Sequence, residues 1–270
     1  MFSECLSFGG LGLRISGETP WQQSPVCAPF RTAGESAEHE IYVAISSALP
    51  APPENAVSSR GCYRWRCGAE RHMLHDNSFN TSYSVTRGNV TELILSPHYA
   101  ENLRTHRSLW EADLCFVRAE RGMLVLHSSY VLRAEGDAIL FSGASGIGKS
   151  PQAELWREFA AARVINGDRS LVAVDRGMAH GIFYSGTSGI CENHSAPIRA
   201  IVLPEQAGEN SVTAAGRREA FMRLINQCAY YPWDADSASE MTELVARLVG
   251  RVPVYRLRCR KDEGAVRTLE

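Results

Sequence analysis

The sequence predicts an α/β fold, a phosphate-loop core on a mixed sheet preceded by a β-rich region, and three observations carry that prediction. Residues 143–150 read Gly-Ala-Ser-Gly-Ile-Gly-Lys-Ser, the pattern G-x-x-x-x-G-K-S. From Gly122 onward, short apolar runs alternate with stretches of helix formers, as in α/β domains. Before about residue 120 the chain is cut into short pieces by Pro20, Pro25, Pro29, Pro50, Pro52 and Pro53. The expected domains are therefore residues 1–120, β-rich and of open role, and residues 121–270, the α/β core.

In chain order, residues 41–45 and 91–95 are apolar and β-branched enough to read as strands. Residues 77–89 read as polar and turn-rich, and 98–110 as one helix. Residues 123–126 and 129–132 form a strand that turns at Glu135-Gly136-Asp137 into the apolar run 138–141, which is long enough for a buried strand. The glycine-rich loop follows, then a helix over 152–162 with Ala153, Leu155, Trp156 and Phe159 apolar. Residues 163–166 make a second strand, ending at Gly167-Asp168-Arg169. Residues 170–175 and 178–184 make a hairpin through Arg176-Gly177, and 185–189 a loop of small residues. A strand over 198–203, helices over 219–228 and 237–249, and a final strand over 252–257 complete the core. The hairpins require a mixed rather than a purely parallel sheet.

Bulk properties exclude several classes. The chain has 270 residues, 44 % hydrophobic and 21 % charged, with a net charge of −2. That balance gives no general attraction to nucleic acid or to an acidic membrane. No apolar stretch approaches the roughly 20 residues that span a bilayer, and Met1-Phe2-Ser3-Glu4-Cys5 lacks the basic start of a secretory signal. A cytoplasmic protein with reduced thiols is expected. The eight cysteines form no C-x-x-C pair. Cys62, Cys67, His72 and His75 have zinc-ligand types at workable spacings. The alternation through 62–67 reads equally as an exposed strand, and both readings stay open.

The chemistry gathers around the loop. Gly143, Gly146 and Gly148 let backbone N–H groups, with those of Ala144, Ser145 and Ile147, turn toward one anion. Lys149 supplies a positive charge for the β- and γ-phosphates of ATP, and Ser150 a hydroxyl for Mg²⁺. The helix that follows directs its positive end to the same place. A carboxylate is needed nearby, and Asp168, at the end of the next strand, is the candidate metal-orienting acid or general base; the alternative is a turn aspartate after Gly167. His127 is either a hydrogen-bonded strand histidine or part of the site. The 185–189 loop either closes over a substrate or simply connects. Glu192, Glu205 and Glu209 read as further acids or as solvated surface charges.

Taken together these residues resemble the HPr kinase/phosphorylase family, specifically its divergent relatives in bacterial peptide-modification gene clusters. The resemblance covers about residues 123–270. It lies in Leu126-His127-Ser128-Ser129-Tyr130-Val131, in the loop from Ser142 to Ser150, in Gln152-Ala153-Glu154-Leu155-Trp156 and in Ile165-Asn166-Gly167-Asp168-Arg169. Gly186-Thr187-Ser188-Gly189-Ile190-Cys191 and the stretches 197–203 and 252–259 are similar too. It implies an ATP-dependent kinase with a P-loop α/β core, acting on a serine hydroxyl in a small protein or peptide, with Mg-ATP at Gly143, Gly146, Gly148, Lys149 and Ser150, Asp168 as catalytic base or metal-orienting acid, and His127 as the family's strand histidine. Family members assemble as hexamers, so a homo-oligomer is compatible. Two departures stand out: Gly167 precedes Asp168 where well-studied members carry a second acid, which argues against a reverse phosphorylase reaction, and Pro151 replaces a Thr, Ser or Glu. They leave a weakened nucleotide- or peptide-binding homologue as the alternative, with a small-molecule kinase as a third reading.

Overall fold

The computed structural model describes residues 2–18, 22–34, 37–59, 61–76, 81–101, 121–231 and 233–270. The chain divides into two compact units, residues 1–117 and 118–270, and both sheets are mixed.

The first unit is a sheet of eight strands: β1 (Phe2–Phe8), β2 (Leu11–Gly17), β3 (His39–Ile45), β4 (Val57–Ser59), β5 (Cys62–Cys67), β6 (Glu70–His75), β7 (Ser82–Arg87) and β8 (Val90–Leu95). Their spatial order is β1-β2-β3-β8-β7-β6-β5-β4, with β2, β3 and β8 parallel. Alternation sets the buried face, as in β2, where Leu11, Leu13 and Ile15 are buried and the residues between them half-buried. Residues 82–87, expected as turn, are strand β7. The polar residues that suggested a turn are buried: Thr86 Oγ1 lies 2.9 Å from Thr91 Oγ1, which lies 2.9 Å from His39 Nε2. Of the helix expected over 98–110, a turn α1 (Pro97–Ala100) is present; residues 102–110 lie outside the described residues.

The C-x4-C-x4-H-x2-H set is spread along the β5–β6 hairpin. Cys62 lies opposite His75, with Sγ 3.6 Å from Nε2. Cys67 lies opposite Glu70 at the other end, ~16 Å away at the rise of a strand. His72 stacks on Trp65 at 5.1 Å and places Nδ1 2.7 Å from the Tyr83 hydroxyl. The strand reading accounts for these residues, and no group of three metal-ligating side chains occurs among the described residues.

The second unit contains β9 (Met123–Leu132), β10 (Ala138–Ser142), α2 (Lys149–Phe159), β11 (Arg163–Asn166), β12 (Arg169–Ala173), β13 (Met178–His180), β14 (Ser195–Gln206), β15 (Ser211–Ala214), α3 (Arg217–Ile225), α4 (Ala235–Arg251), β16 (Val254–Cys259) and α5 (Glu263–Leu269). Strand β9 changes partners at its middle. Met123–His127 pair with β12, whereas Ser128–Leu132 pair with β10 on one side and, from Tyr130, with β11 on the other. Strand β14 does likewise, pairing with β13 through residues 195–197 and then with β10 and β16. The path β9-β12-β13-β14-β10 thus returns to β9 and forms a closed circuit. Apolar residues cover both faces. Val131, Ile139, Phe141, Val202 and Leu257 pack with α2 and α5, and Leu124, Leu126, Leu140 and Ile201 with α3 and α4.

Some boundaries differ from the sequence expectation. The first core helix starts at Lys149 rather than 152, and β14 is twice as long as expected, because Ser195 to Pro197 also find a partner in β13 and Pro204 to Gln206 in β16. The hairpin strand expected to reach 184 ends at His180. Strand β15 and helix α5 were not anticipated. The first is only four residues, too short a run of alternation to mark a strand, and the second is a seven-residue helix at the end of the chain. No helix among the described residues is long and apolar enough to cross a membrane.

Candidate functional site

Strand β10 ends at Ser142 and α2 begins at Lys149, so residues 143–148 must reverse the chain within a short arc. Gly146 and Gly148 do this at φ 79° and 120°, values that a Cβ disfavours. Gly148 caps the helix and its carbonyl accepts the first helical bond, from Gln152 N–H at 3.0 Å. The amides of Lys149 and Ser150 precede that bond and have no intrahelical acceptor. An anion at this helix start is their natural partner.

Lys149 is buried, and its ammonium donates to the carbonyls of Gly143 at 2.8 Å and Ala144 at 3.0 Å. Burial pushes its pKa down, with the Asp168 charge acting in the opposite sense. The two groups therefore sense each other across the site.

Asp168 stands between β11 and β12, where the chain is held from both sides. The buried Asn166 accepts the Asp168 and Arg169 N–H groups on Oδ1, both at 2.9 Å, an Asx turn that kinks the strand. Its Nδ2 donates to Ile182 O at 2.7 Å. On the β9 side, Ser129 Oγ donates to Gly167 O at 3.0 Å and Ser128 N–H to Asp168 O at 2.9 Å. The carboxylate lies 3.3 Å from His127 Nε2 through Oδ1 and 3.3 Å from Arg169 Nε through Oδ2. The hydrogen bond from His127 holds the Asp168 carboxyl below the usual aspartate range against the opposing pull of burial; Arg169 and Lys149 add to it. His127 sits where β9 changes partners. Its N–H donates to Gln227 O at 2.8 Å and its carbonyl accepts from Ser142 Oγ at 3.0 Å.

These groups line one cavity of about 290 Å³, with His127, Ser145, Lys149, Ser150 and Asp168 around it. Gly146, Gly148 and Pro151 line it too. Gly143 and Ala144 instead serve Lys149 through their carbonyls, and Ile147 lines a neighbouring cavity. The 185–189 loop comes against Asp168: Thr187 and Ser188 line the cavity, and a Cβ on Gly186 (φ 56°) would sit 2.7 Å from Asp168 Cγ. Glu192, Glu205 and Glu209 do not line it and pair with Arg163, Arg223 and Arg258. Sequence reasoning gave no role to Asn166, Arg169 or Gln206. The last lines the cavity and donates to Gly146 O at 3.4 Å. An asparagine directly before a Gly-Asp step was a usable signal for the Asx turn.

The arrangement offers an anion-binding helix start, one buried cation and one ionised carboxylate facing a shared space. No protein-family model matches this chain, and no curated protein matches it.

Proposed function

We propose that this protein is an ATP-dependent phosphotransferase, a serine kinase acting on a small protein or peptide. The observation that carries the reading is Lys149 and the paired carboxylate of Asp168 on one cavity, at a glycine-rich loop that opens a helix. The resemblance of residues 123–270 to HPr kinases, read from the sequence, supports the same reaction and acceptor.

In this reading the loop and the first turn of α2 hold the phosphates through N–H groups, and Lys149 exchanges the Gly143 and Ala144 carbonyls for phosphate oxygens. Ser150 and Asp168 offer one hydroxyl and one carboxylate, the sparse set that suits a magnesium ion carried mainly by phosphates and water. When bound, Mg²⁺ would neutralise charge on the β- and γ-phosphates. The acceptor hydroxyl oxygen attacks the γ-phosphorus, and the bond from that phosphorus to the β–γ bridging oxygen breaks. The hydroxyl proton passes to Asp168, which His127 and Arg169 orient, and ADP departs. A second acid beside Asp168 has no room, because a Cβ on Gly167 would run into Ser188. Asp168 alone must serve, and the forward transfer is the reaction it fits.

The test is transfer of label from γ-labelled Mg-ATP to a mixture of small proteins and precursor peptides, with Lys149→Ala and Asp168→Asn alongside. Phosphoserine formed by the wild type and by neither variant supports the kinase. ATP binding with no transfer to any protein, peptide or metabolite leaves a binding homologue. One observation favours that second reading: Pro151 has no N–H to offer. It occupies the last position of the helix start whose N–H has no helical acceptor, so the helix tolerates it while a phosphate loses a donor. Pro151→Thr should tighten ATP binding by about ten- to a hundredfold, the worth of a charge-assisted hydrogen bond, as read by titration calorimetry; equal affinities would show that this amide is not used.

A further inference from the structure

A second cavity of about 290 Å³ adjoins the first. The two share Gly148, Pro151 and Gln206, so they meet at the start of α2. Ile147, Pro151, Pro204 and Ala207 give the second cavity apolar walls on one part, and Gln152, Gln206, Arg260 and Lys261 line the rest of it. Gln152 is only 3 % exposed. Its Nε2 donates to Cys259 Sγ at 3.2 Å, and its Oε1 finds no hydrogen-bond partner among the described residues. A buried amide oxygen left so is costly, and such exceptions ask for an explanation. Its last side-chain torsion is soft, so the amide can turn toward a ligand.

The direction of a bound nucleotide follows from the loop. Lys149 addresses the outer phosphates and Ser150 the metal beside them. The inner phosphate and the nucleoside then lie toward Pro151 and Gln152, over the first turn of α2, where this cavity opens. Apolar walls suit the faces of a base. A glutamine amide matches the amino edge of adenine, accepting a hydrogen bond from its exocyclic nitrogen.

We propose that this cavity is the nucleoside subsite, and that Gln152 Oε1 selects adenine by accepting a hydrogen bond from its exocyclic amino group. The inference rests on the phosphate-binding reading of the loop, and the two can fail separately. Binding of ATP, of purine riboside 5′-triphosphate (the same ring without the amino group) and of inorganic tripolyphosphate would be measured with Mg²⁺ on the full chain. The wild type should bind ATP about tenfold more tightly than the riboside, the worth of one hydrogen bond to a buried group. In Gln152→Met that preference should vanish while tripolyphosphate affinity stays unchanged. Equal binding of ATP and the riboside by the wild type overturns the subsite whatever the variant does, and so does a preference that survives Gln152→Met. Failure of all three ligands to bind removes the phosphate-loop reading and the subsite with it.

Discussion

Asn166 has no atom on the cavity, yet the position of Asp168 depends on it. It accepts two backbone N–H groups on one oxygen while anchored to Ile182 by its nitrogen. Asn166→Ala would leave these half-buried groups without that partner, costing at most about 1–3 kcal/mol for each group that stays unsatisfied. The expected outcome is a lower melting temperature together with loss of phosphoryl transfer, while ATP still binds at the loop. Asp168 itself makes a pH-dependent contribution of definite sign. Its folded-state pKa is depressed, first by the His127 hydrogen bond. The native state therefore favours the ionised form, and the stabilisation is present above the ordinary aspartate value near pH ~4. It is lost as pH falls through the depressed pKa. Melting temperatures of wild type and Asp168→Asn should differ above that value and converge below it; a difference that widens in acid would contradict the assignment. Part of this was legible beforehand. Lys149 and Ser150 come from a fixed pattern, and Asp168 from its place at a strand end. Asn166 was not, because its role depends on which backbone groups lie unpaired at the kink, and spacing alone does not reveal that.

At the scale of elements, the stretch from β11 to β12 and the 185–189 loop act as one device. The strand delivers Asp168, and the loop packs against it closely enough that Gly186 has no room for a side chain. Gly186 also has a φ of 56°, so alanine there is strained twice. Gly186→Ala should lower phosphoryl transfer by at least about tenfold through displacement of the carboxylate, since misplacement of such groups by an ångström is that costly. ATP affinity should change little; a variant with normal transfer would show that the loop yields instead. The sequence suggested this loop only as small residues. Nothing in Gly-Thr-Ser-Gly says that it packs on an aspartate some twenty residues earlier, a long-range fact set by how β13 returns to β14. Strand β7 failed for a different reason. Ser82, Ser84 and Thr86 read as polar turn residues by composition, and the buried Thr86 hydroxyl is accommodated because Thr91, itself bonded to His39, lies within hydrogen-bond distance. Helix α2 and strand β10 were legible because each follows from local pattern alone.

At the scale of the whole molecule, three apolar clusters among the described residues each lie within one unit. The two that surround the second sheet draw only on residues 124–269, and the cluster under β5 to β8 draws only on residues 49–94. Residues 118–270 expressed alone should therefore unfold in one cooperative thermal transition and retain ATP binding; a fragment without cooperative melting would show that the first unit is required. The closed circuit of strands has a consequence for how the chain is made. Strand β10 meets one partner, β9, immediately upstream, but its other neighbour, β14, is synthesised only after four more elements. Closure is non-local and correspondingly slow. Until residue 202 has left the ribosome, β10 presents a bare apolar edge of the kind that invites association between chains. Nascent and refolding chains are therefore most vulnerable to aggregation just before β14 docks, and dilution should rescue refolding yield more than any change made to the finished surface.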